Sequence, residues 1–554
     1  MYSTRDSADI TMNKALGRRS SAIALVLLFI GGCCLYLGYY SSQHVAGVER
    51  SGNKNSKCAS IPIPDDYWRL TETEMTPFVS IPWEQPIEVG ESICVRVVVP
   101  ARLFPPFASS AIIHTPFPDA PWDSVLLDLV GNSTGISVPV HLQPAEQPPH
   151  TLGLPLLQGS KGSARNGAHI YEADVWLRDV DVYSPAGFIE YRDAQWNFEG
   201  GLPIVKYEPE PLQISGCIPV SVVDTDGSSI YSISRHEDLP LCKESNPEGR
   251  WVAANGIPFN TTNLLPPDNH NRIWLPYTCR MQRYDYRRFA QCLVDRYPVM
   301  HVYGDSNTRR YLKMITTLGQ WCSHPQYRNL SQCLCEDHGE RQFTRFRVDD
   351  RNVIIDMDPV SGGHSPVGNN HNTTAAPPNK SRIYLRRWDG LTHHNNHDTP
   401  WWQPLAGPGG VAKTYGHAQV AVFSLTNWDA AFTTRAYFAL QIQLLLDLID
   451  SNYGPETEII LRTGQYFCCR VDLSPSARQY SRMRNKMFDK YIVDQFKARF
   501  SATRRLSIWD VASLDEHRPI EARKADPAAC PSNHVRSELV DIENQVLFNH
   551  LCNY

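Results

Sequence analysis

The spacing of apolar residues changes along the chain and divides it into two main regions. Between about residues 61 and 225, short apolar runs rich in β-branched residues are separated by clusters of Pro, Gly and Asp. These runs are SICVRVVVP, SSAIIHT, SVLLDLV and IYEADVWL. The pattern predicts an antiparallel, immunoglobulin-like β-sandwich over residues 61–225.

From about residue 240 to residue 554, strand-like apolar runs alternate with segments of helical periodicity. The predicted strands cover residues 299–304, 352–357, 419–425, 458–463 and 506–511, and the predicted helices cover residues 434–453 and 481–500. This alternation predicts an α/β domain in which a parallel sheet is flanked by helices. Active sites in such sheets lie at the carboxyl ends of the strands.

The N-terminal region carries a candidate membrane segment. Residues 22–40 contain no charged side chain, and a helix of that length would span about 28 Å, close to the thickness of the bilayer core. Basic residues precede the segment within residues 1–21, which predicts a cytosolic tail. A polar stem over residues 41–60 would follow. We therefore predict a single-pass type II membrane protein with its catalytic domain in the Golgi lumen, elsewhere in the secretory pathway or at the cell surface; a cleaved signal peptide is the alternative.

Composition supports an exported protein and argues against nucleic acid as a partner. The formal net charge is −5, without the basic excess that nucleic-acid binding favours. The chain contains 15 cysteines, so we expect disulfide bonds, whose connectivity the sequence does not fix. Sequons for N-glycosylation occur at Asn132, Asn260, Asn329, Asn372 and Asn379.

The run VMHVYGDSNTRR at residues 299–310 carries the first candidate catalytic group. Gly304 permits a sharp turn after the strand, and Ser306 would lie at the N-terminus of the following helix, where amide dipoles stabilise an anion. A serine becomes a nucleophile only with a base and with donors to the oxyanion. Asp and Ser are also common helix caps, so the tripeptide alone leaves capping and catalysis open.

Two further residues occupy positions suited to such a site. Asn427 in VAVFSLTNWD comes just after an apolar strand, where its amide could donate to an oxyanion or bond to its own backbone. His534 in ACPSNHV comes after the last predicted strand and could serve as general base. His517 and His550 are rival candidates for that base.

These blocks together resemble the PC-esterase branch of the GDSL/SGNH hydrolase superfamily. With an N-terminal β-domain, the combination is similar to the neurexophilin and PC-esterase (NXPE) family. The shared features are Cys242-x6-Gly249-x-Trp251, Trp274-x-Pro276-x-x-Cys279, GDSNTRR, VFSLTNWD, ILRTG and CPSNHV…LFNHLC. The resemblance implies an SGNH-hydrolase-like fold with Ser306 as nucleophile, His534 as base, and oxyanion donors from Ser306, Asn427 and the Gly304 turn.

Two features of the resemblance are incomplete. Many PC-esterase domains end in D-x-x-H, whereas Pro531 lies three residues before His534. The acid that orients the imidazole would then be Asp526, with Asp510 and Asp515 as alternatives, or it would be absent. The glycine of the superfamily's second sequence block is also unassigned, with Gly362 and Gly363 as candidates.

The resemblance implies acyl chemistry on glycans through an acyl-serine intermediate. Family members remove O-acetyl groups from sugars or transfer them, and the predicted membrane anchor favours an O-acetyltransferase over an esterase. The expected partners are a glycan or glycoprotein substrate and the membrane at residues 22–40; the oligomeric state stays open. We expect no bound cofactor and no metal, with an acetyl donor such as acetyl-CoA if the reaction is transfer. Arg309, Arg310 and Trp428 are candidate substrate contacts.

Two other functions fit parts of the sequence. A type II Golgi glycosyltransferase would use a metal-binding D-x-D after a strand, and Asp356 and Asp358 in NVIIDMD provide that pattern. A non-catalytic glycan- or protein-binding module is the other alternative, because the D-x-x-H acid is missing.

Overall fold

The computed structural model describes most of the chain after residue 55. The described residues are 56–83, 86–101, 123–145, 167–192, 209–214, 219–225, 227, 229, 231–321, 352–364, 376–392, 400–406, 410–433, 435–466, 481–529 and 534–553. The chain divides into two compact units, Met1–Ser60 and Ile61–Tyr554. In the first unit, a short helix α1 covers Lys57–Ser60.

The N-terminal part of the second unit is built from short strands. They are β1 (Phe78–Ser80), β2 (Ile87–Glu88), β3 (Ser92–Val99), β4 (Ser124–Gly131), β5 (Ser137–Pro139), β6 (Gln143–Pro144), β7 (His169–Trp176), β8 (Asp181–Tyr191), β9 (Glu210–Pro211), β10 (Gln213–Ile214) and β11 (Val220–Val223). One sheet has the order β10-β1-β3-β7-β6, and the other has the order β2-β11-β8-β4-β5, with β9 paired to β8. Alternating side chains from both sheets form one apolar core.

The pairing within these sheets is mainly antiparallel, as the sequence predicts, with two exceptions. β1 pairs parallel with β10, and β2 pairs parallel with β11. β10 and β2 are two-residue strands at the edges of their sheets. We call this layer of two sheets the sandwich.

The C-terminal part contains a two-stranded sheet and a larger seven-stranded sheet. Its strands are β12 (Gly249–Ala253), β13 (Arg272–Pro276), β14 (Val299–Gly304), β15 (Asn352–Asp358), β16 (Gly362–His364), β17 (Ser381–Arg387), β18 (Val420–Ser424), β19 (Glu458–Arg462) and β20 (Leu506–Trp509). The large sheet has the order β16-β15-β17-β14-β18-β19-β20. The five strands from β17 to β20 in this order run parallel, whereas β15 and β16 pair antiparallel. The prediction of a purely parallel sheet is therefore wrong at this edge, because a β15–β16 hairpin closes it.

Helices cover both faces of this sheet. They are α2 (Tyr286–Arg296), α3 (Ser306–Thr316), α4 (Gln403–Ala406), α5 (Val411–Thr414), α6 (Asn427–Phe432), α7 (Arg435–Asn452), α8 (Arg482–Phe500), α9 (Val511–Glu516), α10 (Ile520–Ala529) and α11 (Ser537–Cys552). Met300 and Val302 of β14 join the apolar core shared with α2, α3 and α11. Val299 and Tyr303 join the opposite core, shared with α7 and α8. The period-two alternation along β14 thus separates the two layers of helices.

The predicted transmembrane helix is corrected by the structure. In the part of the chain that the structure describes, no helix is both long enough and apolar enough to span a bilayer. Residues 22–40, on which the prediction falls, lie outside the described residues. The longest described helices, α7 and α8, both contain charged side chains. The single-pass type II architecture and its lumenal placement therefore have no support.

The expected disulfide bonds are confirmed. Cys242 pairs with Cys279, with their Cα atoms 4.9 Å apart, and this bond joins the segment before β12 to the end of β13. Cys292 of α2 pairs with Cys552 at the end of α11, with Cα atoms 6.2 Å apart. The second bond fastens the C-terminal helix, which directly follows the segment bearing His534, to the layer of helices that contains α3.

Candidate active site

The junction between β14 and α3 holds Ser306 in a defined position. β14 ends at Gly304, and Ser306 is the first residue of α3. Asp305 is the N-cap, and its carboxylate accepts hydrogen bonds from the amides of Asn307 (3.0 Å) and Thr308 (3.3 Å). The cap does not engage the Ser306 amide, which has no intrahelical acceptor at this position. Asp305 thus performs the capping, in which neither the Ser306 side chain nor the Ser306 amide takes part.

Gly304 is required at this junction by close packing. A Cβ added to Gly304 would lie 2.1 Å from Thr308 Oγ1 and 2.8 Å from Ser424 Cβ. The Gly304 carbonyl accepts a hydrogen bond from the Trp388 amide at 2.7 Å. Because Gly304 has no side chain, α3 starts directly against the end of β18, the strand that leads to Asn427. This packing accounts for the glycine, and its predicted contribution to oxyanion binding stays a prediction.

The structure brings His534 to the candidate nucleophile. His534 Nε2 lies 2.7 Å from Ser306 Oγ, across 228 residues of sequence. When Nδ1 carries the ring proton, Nε2 accepts the serine hydroxyl proton, the direction that a general base requires. Ser306 is buried and His534 is partly buried.

The two rival histidines have other partners. His517 Nδ1 donates to the Ser513 carbonyl at 2.8 Å, and burial lowers the pKa of His517. His550 Nε2 lies 2.7 Å from a Glu458 carboxylate oxygen, and its Nδ1 donates to the Lys243 carbonyl. Both rings therefore have structural roles, and His534 is the histidine that contacts Ser306.

Two of the three candidate acids for orienting His534 have other partners in the structure. Asp510 caps α9 by accepting from Ser513, and it also accepts from Thr463 Oγ1 at 3.0 Å. Asp515 forms an ion pair with Arg518 at 2.9 Å. Asp526 lies in α10, the last helix before His534, and its side chain is outside the described residues. Asp526 therefore stays the predicted acid, while its two alternatives have identified roles in local structure.

Asn427 lies at the carboxyl end of the strand next to the Ser306 strand. β18 pairs parallel with β14 and ends at Ser424. Asn427 lies three residues further on and is the first residue of α6. The side chain is buried, and none of the described residues donates a hydrogen bond to its oxygen. Asn427 and Ser306 thus follow adjacent parallel strands at the same edge of the sheet.

The turn that carries Asn427 has an unusual backbone. Thr426 has a φ of 85°, in the left-handed region that non-glycine residues rarely adopt. Its hydroxyl donates to Asp489 Oδ1 at 2.7 Å, and the Gly464 amide donates to the same oxygen at 2.9 Å. A Cβ on Gly464 would lie 2.3 Å from Thr426 Oγ1 and 2.5 Å from Asn427 Oδ1. Asp489 and Gly464 therefore fix this turn.

Sequence reasoning missed both residues as part of the site. Gly464 ends the block ILRTG, two residues after the last residue of β19, and a glycine there is a sequence signal of close approach. Asp489 lies inside a helix whose apolar periodicity gave no hint of a buried carboxylate. Burial raises the pKa of Asp489 to about 7, although the Gly464 and Thr426 hydrogen bonds lower it.

A second buried carboxylate, Asp429 of α6, binds the loop that follows β17. Asp429 accepts hydrogen bonds from the amides of Leu391 and Thr392 and from the Thr392 hydroxyl at 2.6 Å. Burial raises the pKa of Asp429 to about 6, against the lowering effect of these hydrogen bonds. Gly390, with a φ of 77°, packs against the Asp429 carboxylate. The loop after β17 is thereby tied to the Asn427 helix.

The candidate glycines of the second block are not near Ser306. Gly362 and Gly363 belong to β16 and pack against Thr316, at the last turn of α3. Ser306 is at the first turn, so the length of α3, about 15 Å, lies between them. The glycine that follows β17, a strand next to β14, is Gly390. Neither candidate glycine therefore lies beside Ser306, and the glycine of the second block stays unassigned.

The three expected substrate contacts are all buried. Arg310 is fully buried, donates to the Val535 carbonyl and lies over the Trp321 ring at 4.9 Å. Arg310 therefore holds the residue next to His534, and its expected contact with an anionic substrate stays a prediction. Arg309 and Trp428 are 2% and 7% exposed. Their expected contacts with substrate stay untested.

The expected glycosylation sites divide into described and undescribed positions. Asn132, Asn260 and Asn379 are exposed. Asn260 Oδ1 accepts hydrogen bonds from the amide and hydroxyl of Thr262. Asn329 and Asn372 lie outside the described residues.

The acidic pair of the glycosyltransferase alternative is engaged in the fold. Asp356 binds Arg382 through two hydrogen bonds of 2.7 and 3.0 Å. The Asp358 carboxylate accepts from the Val360 and Ser361 amides in the turn between β15 and β16. Among the described residues, neither acid belongs to a cluster of potential metal ligands. Pairing and turn formation account for both acids.

Comparison with known proteins adds no assignment. No protein-family model matches the chain, and no curated protein matches it.

Proposed function

We propose that this protein is a serine-dependent acyl-transfer enzyme that acts on O-acetyl groups of glycans. The observation that carries the proposal is the 2.7 Å separation between Ser306 Oγ and His534 Nε2. It occurs at a strand–helix junction where Asp305 takes over the capping role and leaves the serine for chemistry. The resemblance of the surrounding blocks to PC-esterase domains supports an O-acetylated sugar as substrate.

The reaction follows from the positions of these groups. His534 Nε2 accepts the hydroxyl proton while Ser306 Oγ forms a bond to the acetyl carbon. The carbonyl oxygen becomes an oxyanion, for which the Ser306 amide and the Asn427 side chain are the proposed donors. The C–O bond to the donor alcohol, or the C–S bond when acetyl-CoA is the donor, then breaks, and His534 returns the proton to the leaving oxygen or sulfur. The product of this half-reaction is acetyl-Ser306.

The acceptor decides the second half-reaction. Water attacking acetyl-Ser306 releases acetate, whereas a sugar hydroxyl takes up the acetyl group. The expectation of transfer depended on the membrane anchor, which has no support in the structure. The proposal therefore covers the acyl-serine step that both outcomes share, with an acetyl ester or acetyl-CoA as donor.

The test uses the full chain in three forms: wild type, Ser306→Ala and His534→Ala. A fluorophosphonate probe measures the reactivity of the serine, and acetate release or acetyl transfer is followed on a panel of acetylated and unmodified glycans. We expect labelling and turnover in the wild type and a loss of about 10³-fold or more in each variant. Equal activity of all three forms would exclude the mechanism.

The chain offers a matched control for this test. Ser361 Oγ lies 3.0 Å from His364 Nε2 in an exposed turn. Unlike Ser306, Ser361 does not lie at the N-terminus of a helix that follows a β-strand. Ser361→Ala should leave labelling and turnover unchanged. Binding of glycans without any labelling of Ser306 would favour the non-catalytic binding module instead.

A further inference from the structure

The N-terminus of α8 is anchored in the sandwich. The amide of Arg482 donates to Glu190 at 2.9 Å, and the amide of Met483 donates to Ser124 Oγ at 3.3 Å. Ser124 in turn donates to Glu190 at 2.8 Å. The Met483 side chain belongs to the apolar core of the sandwich. Because the first amides of a helix lack intrahelical acceptors, strands β4 and β8 supply the partners that fix where α8 begins.

The next turns of α8 contact both ends of the Asn427 helix. The Arg484 guanidinium donates to the carbonyls of Ala430 and Thr433, at the C-terminal end of α6. Asp489, five residues further along α8, accepts from Thr426 at the N-terminal end. Both side chains are less than 10% exposed, at 7% and 6%. One helix therefore satisfies polar groups at both ends of α6.

The contact with Asp489 bears directly on where Asn427 points. The left-handed backbone of Thr426 is strained for a non-glycine residue, so surrounding contacts must maintain it. The hydrogen bond to Asp489 is such a contact, and Asn427 is the next residue. A shift of α8 would relax the turn and change the direction of the Asn427 amide.

We propose that α8 couples the sandwich to the oxyanion side of the active site. Ser124 and Glu190 set the position of the helix, and Arg484 and Asp489 act as positioning residues for the turn at Asn427. The sandwich is then part of the catalytic unit rather than a separate binding module. This inference rests on the proposed function, because it assigns Asn427 to oxyanion binding.

The test measures kcat and KM for p-nitrophenyl acetate with the full chain. Asp489→Ala removes the carboxylate acceptor of the Thr426 hydroxyl and leaves it the Leu425 carbonyl, and Glu190→Ala removes the acceptor of the Arg482 amide at the N-terminus of α8. Since loss of one oxyanion donor lowers kcat by about 10²–10³-fold, we expect displacement of Asn427 to lower it by about 10-fold or more, with KM changed by less than about 3-fold. The conservative variants Asp489→Asn and Glu190→Gln keep an acceptor oxygen and should restore most of the rate.

A double-substitution experiment separates positioning from general damage to the fold. If Asp489 and Glu190 act through Asn427, their alanine variants should have no further effect on kcat in an Asn427→Ala background. Equal effects in both backgrounds would overturn the proposal. Asp494→Ala is the matched control, because Asp494 lies on α8 in an exposed ion pair with Lys490. It should leave kcat unchanged in either background.

Amide hydrogen exchange provides a readout that does not depend on activity. Glu190→Ala should accelerate exchange in residues 426–433, and Asp494→Ala should not. Unchanged exchange in that segment for Glu190→Ala would refute the coupling. If the wild type shows no activity that depends on Ser306, the proposed function fails, and hydrogen exchange still decides whether the sandwich controls the turn at Asn427.

Discussion

Gly304→Ala tests whether the close packing at the end of β14 sets the catalytic geometry. The glycine is in the middle of three contacts, because an added Cβ would lie 2.1 Å from Thr308 Oγ1 and 2.8 Å from both Thr308 Cβ and Ser424 Cβ. Thr308 is fully buried, and Ser424 is 4% exposed. Neither side chain has solvent into which it can move. The substitution must therefore displace α3 from the end of β18.

The size of the effect follows from these distances. Carbon atoms pack at about 3.5–4.0 Å, so the new atom would overlap Ser424 Cβ by about 0.7 Å and Thr308 Oγ1 by more. Extra atoms in a packed core typically cost about 1–3 kcal/mol of stability. A displacement of about 1 Å at a catalytic group can lower the rate by about 10²-fold. We expect both effects, because Ser306 is two residues from the overlap.

The assay compares Gly304→Ala with Gly256→Ala. Gly256 has open space around its Cβ position, so its substitution should be nearly neutral. Urea unfolding gives the change in stability, and fluorophosphonate labelling gives the reactivity of Ser306. If Gly304→Ala matches Gly256→Ala in both measurements, the reasoning about the β14–α3 junction is wrong.

Three further predictions concern the base and the buried carboxylate. Asp526→Asn should lower kcat by about 10²–10⁴-fold without a matching loss of stability if this carboxylate orients His534, as steady-state kinetics and thermal unfolding can show. Arg310→Met should lower kcat by about 10-fold with little change in KM, because Val535 next to the base loses its donor. The pKa of Asp489 is raised to about 7 by burial, so the folded state holds a proton that the unfolded state has released between about pH 4 and pH 7. Wild type should therefore lose stability relative to Asp489→Asn as pH rises through that window, and an unchanged difference in melting temperature would contradict the assignment.

The strands that lead to the candidate site were predictable because they are continuously apolar. The strand predicted at 299–304 is observed at Val299–Gly304, and the helices predicted at 434–453 and 481–500 are observed at Arg435–Asn452 and Arg482–Phe500. Ser306 and Asn427 could be selected because each follows a predicted strand, and His534 because it comes after the last predicted strand. Their order in the chain did not reveal which histidine would contact the serine.

β17 was missed because its sequence, SRIYLRR, contains three arginines. Arg382 is nevertheless buried, since it lies opposite Asp356 on β15 and binds that carboxylate. The periodicity of a sequence does not distinguish a buried arginine that pairs with an acid on the neighbouring strand from an arginine exposed to solvent. Missing β17 also hid the antiparallel edge of the sheet and the loop at Gly390.

Paired buried charges also explain why the sandwich could not be related to the active site from sequence. Arg523 of α10 is fully buried against Asp128 of β4, and Arg250 of β12 is buried against Asp179, which lies between β7 and β8 of the sandwich. Each pair joins residues far apart in the sequence. From the sequence alone, charged residues such as these are interpreted as exposed, because their partners become neighbours only in the folded protein.

These contacts bear on whether the α/β part could be separated from the sandwich. Leu126, Phe188 and Tyr191 of the sandwich share an apolar cluster with Tyr466, Ala512 and Ile520 of the α/β part. Cutting the chain near residue 240 would expose that cluster to water and remove the anchors of α8 at Ser124 and Glu190. Because α8 also holds the turn at Asn427, the cut would affect the candidate site and not only a remote surface. The compact unit Ile61–Tyr554 therefore contains every described contact that holds Asn427.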